Sequence, residues 1–376
     1  MRVAVVAGPD PGHAFPAIAL CLKLLAAGDD PVLFTGQRWL GAAALDIRDL
    51  PGLAPRPVDD DADAGRRIHE RAAYIATRLL PELRSVAPDV VVSDILTAGG
   101  GLAAEKLGLP WAELSPHPLY YPSKGLPPIG SGLAPGTGIR GRLRDHLMRW
   151  ATGRSVAQGK HQRGAARLGI GLPYDDPGPD LQLIATLPAL EMPRPDWPST
   201  AHLVGPLHWE PTESVLDLPP GDDPLVMVAP STAHTGAVGM VETTVAALDG
   251  LGVRVAVSMI DEPPPGLPSW VRAGLGRQDV LLRAAAAVVG GGGHGLLSKA
   301  LLAGVPVVTV PGGGDQWELA NRAVRQGSSV LVRPLTVAAV RAAVQRVLAE
   351  PQFRRAARAA SVFDAADPVA LIHGMR

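Results

Sequence analysis

The sequence of 376 residues is short of several residue types, and each shortage excludes a class of protein. It has a single cysteine, Cys21, which leaves no internal disulfide and no metal site built from several cysteines. The formal net charge is −1, so there is no overall positive field of the kind that attracts nucleic acid. No apolar run reaches the roughly 18 residues that cross a membrane. Phe and Tyr occur four times each, so the core must consist mainly of Ala, Val and Leu.

The residues that are abundant point to a globular protein with many tight loops. The chain contains 43 Gly and 38 Pro, and its length predicts two domains of about 150–200 residues each. The first eight residues resemble a strand and are too short and wrongly flanked for a signal peptide. We therefore expect a cytoplasmic protein.

Short apolar runs alternate with helical patterns along the whole chain. This alternation predicts an α/β protein with two doubly wound, Rossmann-like domains that face each other across a cleft. Strands are predicted at 3–7, 31–34, 90–93 and 111–114, and again at 225–229, 253–258, 286–289, 305–310 and 330–333. Helices are predicted at 18–27, 66–80, 97–107 and 337–348, the last of them capped by Thr336.

A segment rich in Pro and Asp separates the two series of strands. We predict an N-terminal acceptor-binding domain at 1–207, a linker at 208–224 and a C-terminal donor-binding domain at 225–376, with the last helix packing back on the first domain. In doubly wound sheets ligands bind outside the carboxyl ends of the strands, so the loops that follow the strands are where functional residues are expected.

Four consecutive glycines end the predicted strand 286–289 and lead into a helix that begins near His294. Glycine lets backbone N–H groups approach a phosphate closely, and a helix N-terminus adds about half a positive charge. A pyrophosphate is the natural ligand, and a tight turn without a ligand is the alternative. The pattern is not a Walker A loop, because no Gly-Lys-Ser/Thr follows at the required place.

The stretch 291–316 resembles the donor-binding signature of the family 1 glycosyltransferases, especially the bacterial members that decorate natural products such as macrolides and aromatic polyketides. The matching segments are 291–296, 300–306 and the pair Asp315 and Gln316, in the family's order and spacing. Segments 11–16, 203–207 and 228–232 extend the resemblance over nearly the whole chain. It implies a GT-B fold and transfer of a sugar from a nucleotide diphosphate donor to a small, hydroxylated, largely apolar acceptor.

The resemblance also implies a role for each matching donor-side residue. Gln278 corresponds to the position that reads the nucleotide base, and Thr232 to one that lines the cleft near the phosphates. Asp315 and Gln316 correspond to residues that bind the sugar hydroxyls, where a carboxylate suits a vicinal diol. The residues expected to lie against the diphosphate are Gly292, Gly293, His294 and Gly295.

Three positions depart from the family pattern. Gly291 replaces a His and Leu296 replaces a Ser or Thr, and both usual residues contact phosphate, so His294 and Lys299 are the candidates to compensate. Lys299 stands where plant-type members carry a Glu for the ribose hydroxyls. The lack of a carboxylate there suits a deoxyribose, and we expect a dTDP-sugar donor in preference to a UDP-sugar.

The resemblance identifies His13 as the catalytic base and Asp94 as its partner. A histidine of ordinary pKa near 6.5 can deprotonate an attacking hydroxyl, and a carboxylate can fix its tautomer. His13 is expected in the loop before Pro16, and a helix cap is the alternative role for Asp94. The reaction would be a single displacement that inverts the anomeric centre, with no cofactor and no metal, because the helix dipole and His294 would offset the diphosphate charge.

The acceptor side is less specific in sequence. Within the long loop 115–138, His117, Tyr120 and Tyr121 are candidates to line an apolar pocket. Residues 140–167 hold eight Arg or Lys and one acid, and Leu143 and Trp150 fall with Leu147 on one helical face. This segment is either a solvated helix with an apolar core face or a contact surface for an acidic protein, a second copy or an anionic lipid surface.

Three other functions share the predicted fold. A lipid-directed UDP-sugar transferase agrees with the basic segment, and a non-catalytic homologue that partners an active transferase agrees with the changes at Gly291 and Leu296. A sugar-nucleotide epimerase would need more acid and base groups around the sugar than the sequence offers. The presence together of His13, Asp94, Asp315 and Gln316 favours the glycosyltransferase.

Overall fold

Two parallel β-sheets, each covered by helices, form the architecture of the protein. This computed structural model describes residues 1–54, 64–232 and 236–375. The first sheet has seven strands in the order β3-β2-β1-β4-β5-β6-β7 and the second has six in the order β10-β9-β8-β11-β12-β13. The predicted α/β class with two doubly wound sheets is confirmed.

The first sheet is built from short runs of β-branched and aliphatic residues that are buried on both faces, as parallel sheets require. Its strands are β1 Arg2–Val6, β2 Asp30–Thr35, β3 Asp46–Asp49, β4 Val90–Asp94, β5 Trp111–Ser115, β6 Leu181–Ile184 and β7 Ala201–Leu203. The helices are α1 Pro11–Ala26, α2 Ala64–Val86, α3 Gly99–Leu107 and α4 Gly138–Gly169, with 3-10 turns at Gln37–Trp39 and Pro188–Leu190.

The second sheet repeats the same construction. Its strands are β8 Leu225–Ala229, β9 Arg254–Ser258, β10 Val271–Gly274, β11 Ala285–Gly290, β12 Val307–Thr309 and β13 Ser329–Leu331. The helices are α5 Met240–Leu248, α6 Gln278–Ala284, α7 His294–Leu302, α8 Gln316–Gln326, α9 Val337–Ala349, α10 Pro351–Ala360 and α11 Pro368–His373. Thr336 caps α9, accepting a hydrogen bond from the Ala339 N–H at 3.2 Å, as the sequence predicted.

The first helix begins earlier than the sequence predicted. α1 begins at Pro11 rather than at residue 18, and His13 lies in its first turn instead of in a preceding loop. Pro11 supplies a preset backbone angle at a position where no N–H is needed, which makes it the natural first residue. Pro16 lies inside the helix and not at its start, so it marks the wrong boundary.

The strands that the sequence did not predict are short, and several lie at the sheet edges. β3 (Asp46–Asp49) and β10 (Val271–Gly274) are the outermost strands of their sheets and carry polar or partly exposed residues. Edge strands are commonly short and charged because this discourages pairing with other chains. β6 and β7 have four and three residues, too few for a clear pattern.

The last helix returns to the first sheet. Val369 and Ile372 of α11 are buried in the same apolar cluster as Ile18 and Leu20 of α1. His373 Nε2 lies 2.8 Å from Asp29 Oδ2, and the other carboxylate oxygen, Oδ1, accepts from the N-terminal amino group at 2.8 Å. The chain segment between β7 and β8, residues 204–224, contains no helix or strand.

The long helix α4 is held mainly at its C-terminal end. Arg167, whose side chain is 1% exposed, donates to both carboxylate oxygens of Glu105 on α3 at 3.0 and 2.7 Å. It also lies 3.3 Å from Asp176 and donates to the Pro173 carbonyl at 2.9 Å. These bonds fix the end of α4 to the rest of the first domain.

Arg167→Met is predicted to destabilise the protein by about 3 kcal/mol, because the mostly buried carboxylate of Glu105 loses its counter-charge. In a domain of this size that corresponds to a fall of about 6–10 °C in the unfolding midpoint, measured by calorimetry. Arg84→Met, at an exposed arginine of α2, is the matched control and should change the midpoint little. Equal midpoints for the two variants would contradict the structural role of Arg167.

Candidate active site

The carboxyl ends of both sheets bring the candidate site residues to one cleft. From the first sheet come His13 after β1, Asp94 at the end of β4 and His117 after β5. From the second sheet come the loop after β8, the glycine turn after β11 and Asp315 after β12. Hydrogen bonds between the two groups, described below, show that they face each other.

His13 and Asp94 form a directly bonded pair. His13 Nδ1 lies 2.7 Å from Asp94 Oδ2, and the Asp94 side chain is fully buried. The other carboxylate oxygen, Oδ1, accepts from the N–H groups of Leu96 and Thr97 at 3.0 and 3.2 Å. Asp94 is therefore both a turn cap and the partner of His13, which joins the two roles that the sequence left as alternatives. With Nδ1–H donated to Asp94, the Nε2 lone pair of His13 is free to accept a proton.

The pKa of His13 is raised above its ordinary value of 6.5. Burial acts in the opposite direction, but the charge and hydrogen bond of Asp94 outweigh it, and the charges of Asp10 and Asp315 add to the increase. The electrostatic contribution of Asp315 comes from the other domain. A base of raised pKa accepts a proton more readily once it is in its neutral form.

His117 and Tyr120 connect His13 to the donor side. The His117 ring lies edge-on to His13 at 6.5 Å between centroids and stacks on Tyr120 at 4.5 Å. The Tyr120 hydroxyl donates to Asp315 Oδ2 at 3.3 Å. Four of the predicted residues thus form one continuous row across the cleft, from the candidate base to the candidate sugar reader.

Tyr121 does not join this row. Its hydroxyl donates to Glu113 Oε1 at 2.8 Å and accepts from Gln182 Nε2 at 2.8 Å. Its ring packs against an apolar cluster that contains Leu119 and Ile184. Tyr121 thus faces away from Tyr120, as adjacent residues of an extended segment do, and its role in acceptor binding stays a prediction.

The glycine turn has the geometry of an anion site. Gly292 has φ +79°, a left-handed conformation that favours glycine, and Gly293 is the N-cap of α7. A Cβ added at Gly293 or Gly295 would have no neighbouring atom within 4 Å, so the helix N-terminus faces open space. Free backbone N–H groups and the positive end of the helix dipole meet there.

Gly291 and Leu296, the two positions of the turn that depart from the family pattern, are packed against neighbouring residues. A Cβ at Gly291 would lie 3.2 Å from both Gln316 Oε1 and Ser231 Cβ, and Leu296 packs closely against Gly290. Gln316 is buried, and its amide accepts from the Gly312 N–H and donates to Ser231 Oγ, both at 2.9 Å. Gln316 therefore binds the loops after β8 and β12 together beside the glycine turn.

His294 lies where the two domains meet. Burial lowers its pKa well below the ordinary value of 6.5, and the neighbouring rings of His117 and His208 lower it further. Its Nε2 lies 2.9 Å from Thr186 Oγ1, a contact between the two domains. The expected role of His294 against the diphosphate stays a prediction.

Lys299 is paired with a carboxylate that the sequence did not reveal. Its Nζ lies 2.7 Å from Glu210 Oε1 and 3.2 Å from Gln278 Oε1, and Glu210 also accepts from the Gln278 N–H at 3.1 Å. The premise that no carboxylate lies near this position is therefore wrong, because Glu210 of the linker supplies one. The side chains of Lys299 and Glu210 are 11% and 12% exposed.

Thr232 lies exposed in the loop after β8 and next to residues 233–235, which are outside the described part of the chain. Its neighbour Ser231, and not Thr232, bonds to Gln316.

A buried group of charges between the domains was also missed by the sequence analysis. Glu318 accepts from Arg322 at 3.0 Å within α8 and from the Gly132 N–H at 2.8 Å. Arg322 in turn donates to the Leu190 carbonyl at 3.1 Å and lies 3.3 Å from Glu191. These residues belong to no recognisable motif. Their partners in the other domain lie more than 100 positions away in the sequence, so the contacts appear only once the chain is folded.

Comparisons with known proteins agree with this geometry. Residues 243–370 match the family model described as erythromycin biosynthesis protein CIII-like, C-terminal domain. The chain is 29% identical to 4'-demethylrebeccamycin synthase of Lentzea aerocolonigenes over 98% of its length and 97% of that protein. It is 30% identical to L-demethylnoviosyl transferase of Streptomyces niveus, over 31% of this chain and 34% of the other.

Solved structures share the fold over the full length. The Streptomyces sp. SF2575 glycosyltransferase SsfS6, complexed with thymidine diphosphate, has a TM-score of 0.71 at 21% identity and covers 100% of this chain and 99% of its own. The spinosyn rhamnosyltransferase SpnG, also complexed with thymidine diphosphate, has a TM-score of 0.69 at 19% identity and covers 100% of both chains.

The fold and these matches define the class: the protein is a glycosyltransferase of the GT-B type. Its C-terminal part matches the model of the EryCIII-like C-terminal domain, and the solved structures that share its fold include the glycotransferase of kitacinnamycin and the calicheamicin glycosyltransferase CalG4.

Two findings concern ions and membranes. Within the described residues, no group of three or more His, Cys, Asp or Glu side chains is placed to hold a metal ion. No helix in the same part of the chain has the length and apolarity needed to pass through a bilayer.

NMR titration of the histidine rings is predicted to give His13 a pKa above 6.5. Asp94→Asn should lower that pKa, because burial remains while the main raising charge and its hydrogen bond are lost. His208, buried beside Ser298, should titrate at about 3 in both proteins. Asp46→Asn, at an exposed strand residue, is the control, and a His13 pKa that responds equally to both variants would rule out the proposed pairing.

Proposed function

We propose that the protein is an inverting glycosyltransferase that moves a sugar from a dTDP-sugar to a hydroxyl of a small, largely apolar natural product. The hydrogen bond between His13 and Asp94, aligned with Tyr120 and Asp315 across the cleft, is the observation that carries this proposal. We assign residues 1–207 to the acceptor and residues 225–376 to the donor, with 208–224 as the linker between them.

His13 acts as the general base. The acceptor hydroxyl gives its proton to His13 Nε2, while Nδ1–H stays bonded to Asp94, which stabilises the imidazolium that forms. The acceptor oxygen attacks the anomeric carbon as the bond from that carbon to the phosphate oxygen breaks. The diphosphate leaves with the electron pair, and an α-linked donor gives a β-glycoside.

The glycine turn receives the diphosphate. Backbone N–H groups at Gly292, Gly293 and Gly295 and the N-terminus of α7 offset the charge that develops on the leaving group. His294, which is bonded to Thr186, contributes a hydrogen-bonding group there, and Thr232 lines the same cleft.

The sugar and nucleoside ends extend from the diphosphate in opposite directions. Asp315 accepts from the sugar hydroxyls, and Gln316 fixes the loop that carries it. Gln278 lies at the base end, with the Lys299 and Glu210 pair beside it. The preference for dTDP is supported by the thymidine diphosphate complexes of the related SsfS6 and SpnG and not by the lack of a carboxylate near Lys299.

The acceptor is proposed to be apolar because of what surrounds His13. The His117 and Tyr120 rings offer flat surfaces for stacking. The relatives named for rebeccamycin and spinosyn chemistry act in the biosynthesis of natural products, which supports the same class of acceptor for this chain.

His13→Ala is predicted to lower kcat by about 10²–10⁴, the usual share of general base catalysis. Asp94→Asn should also lower kcat and move the acid limb of the pH profile to lower pH, because the neutral base persists further when its pKa falls. Steady-state kinetics with a dTDP-hexose and a polyketide aglycone measure both effects. His146→Ala, at an exposed histidine of α4, is the control, and an unchanged acid limb in Asp94→Asn would contradict the mechanism.

Thermal unfolding with dTDP, UDP, GDP and ADP at equal concentration is predicted to give the largest stabilisation with dTDP. A ligand present at 100 times its Kd adds about 2.7 kcal/mol. Gly295 has room for a side chain, so Gly295→Glu and Gly295→Gln can be compared as variants of equal size. The Glu variant should bind dTDP about tenfold more weakly than the Gln variant, since its charge repels a diphosphate. Equal affinities would exclude the glycine turn as the diphosphate site.

A further inference from the structure

The first half of α4 carries an apolar stripe that the protein leaves uncovered. The side chains of Ile139, Leu143, Leu147 and Trp150 are 87%, 53%, 55% and 75% exposed. Their spacing of four, four and three residues places them on one face of the helix. The alternative that this face packs into the core, which the sequence left open, is excluded by these exposures.

The opposite face of the helix is the one attached to the protein. Asp145 is buried and accepts from the Gly136 N–H, and Arg149 donates to the Leu126 carbonyl at 2.7 Å. At about 100° per residue, Asp145 lies roughly 160° around the helix from Leu143. The stripe therefore points directly away from the body of the molecule.

The charge on this surface has one sign. Arg140, Arg142 and Arg154 are exposed beside the stripe and form no ion pair or hydrogen bond with the described residues. The one acidic residue of the helix, Asp145, is buried and paired with Arg144. The surface thus combines an apolar face with free positive charge, although the whole chain has a net charge of −1.

A short loop connects the stripe to the second domain. The loop that leads into α4 contacts α8, where Gly132 donates to Glu318 and accepts from Arg325. Arg144 donates to the Ala134 carbonyl of the same loop. Six residues separate Gly132 from Ile139, the first residue of the stripe, and α8 begins directly after Asp315.

We propose that the first half of α4 docks on an anionic lipid surface. An amphipathic helix with a broad apolar face and basic flanks lies in the plane of a bilayer, with its apolar side chains at the boundary of the acyl chains. Trp150 is the residue type that favours that interface, and the free arginines are attracted to anionic headgroups. Such docking would present the cleft to apolar acceptors dissolved in the membrane.

Self-association fits the surface less well. In a symmetric dimer the same patch of each copy faces the other, so the arginines around the stripe would be brought against one another. Like charges in that arrangement oppose association, whereas an anionic surface complements them.

Co-sedimentation with vesicles tests the proposal without reference to catalysis. Vesicles of phosphatidylcholine with about one third phosphatidylglycerol should bind the protein at low salt, and pure phosphatidylcholine should bind it far less. Raising the salt to about 0.5 M should abolish binding, because the charges are screened. Each arginine should contribute about fivefold to the partition coefficient.

Two variants locate the binding surface. Arg140→Gln/Arg142→Gln/Arg154→Gln should reduce binding by about 100-fold, and Leu147→Ser/Trp150→Ser should also reduce it strongly. The charge-matched control is Lys23→Gln/Arg84→Gln/Arg355→Gln, which removes exposed basic residues elsewhere. Because all these residues lie outside the active site, the turnover of each variant on a water-soluble acceptor should be unchanged.

Several results would overturn the proposal. The first is absence of binding to the anionic vesicles, and the second is equal binding to anionic and neutral vesicles. The third is a loss of vesicle binding in the control variant as large as that in the α4 variants. A dimer in analytical ultracentrifugation that Leu147→Ser/Trp150→Ser converts to a monomer would assign the stripe to a second copy instead. An inactive protein that still binds vesicles would contradict the proposed function and leave this inference standing.

Discussion

The site depends on a buried group of charges that joins the two domains. Glu191 comes from the first domain, and Glu318 and Arg322 from the start of α8 in the second. All three side chains are at most 6% exposed, so each charge must find its partner within the protein. The group is complete only when the domains meet in this arrangement. Since α8 also begins beside Asp315, the same contact sets where the donor side of the cleft lies relative to His13.

The catalytic geometry then follows from the ends of parallel strands. Asp94 is fixed by the turn that ends β4, and His13 by the helix that follows β1, the neighbouring strand in the sheet. The glycine turn follows β11 in the same way. Because strand ends and helix starts are rigid, the proposed base and the proposed diphosphate site are held without help from long loops. The acceptor side, which is a long loop, is where members of such a family can differ.

Much of this could be predicted from the sequence, for identifiable reasons. Buried parallel strands are continuous apolar runs, which made the two sheets visible, and glycines before a helix mark an anion site with a local pattern. His13, Asp94 and Asp315 follow from a resemblance in motif and order. What could not be predicted depends on long-range contact: the pairing of Lys299 with Glu210, the buried charges between the domains and the contact of His294 with Thr186. Tyr120 and Tyr121 show that prediction is also limited for neighbouring residues. Nothing in two adjacent tyrosines indicates which ring faces the cleft and which faces Glu113 and Gln182.

The bond between Tyr120 and Asp315 would, under the proposed roles of these residues, make the two substrates dependent on each other. Tyr120 belongs to the loop on the acceptor side and Asp315 to the donor side, and one hydrogen bond of 3.3 Å occupies both. A sugar hydroxyl that takes Asp315 frees the Tyr120 hydroxyl and the stacked His117 to rearrange around an acceptor. By thermodynamic reciprocity, an acceptor that draws Tyr120 away changes donor affinity by the same factor. A single side-chain contact would thus couple the affinities of the two substrates, whichever of them binds first.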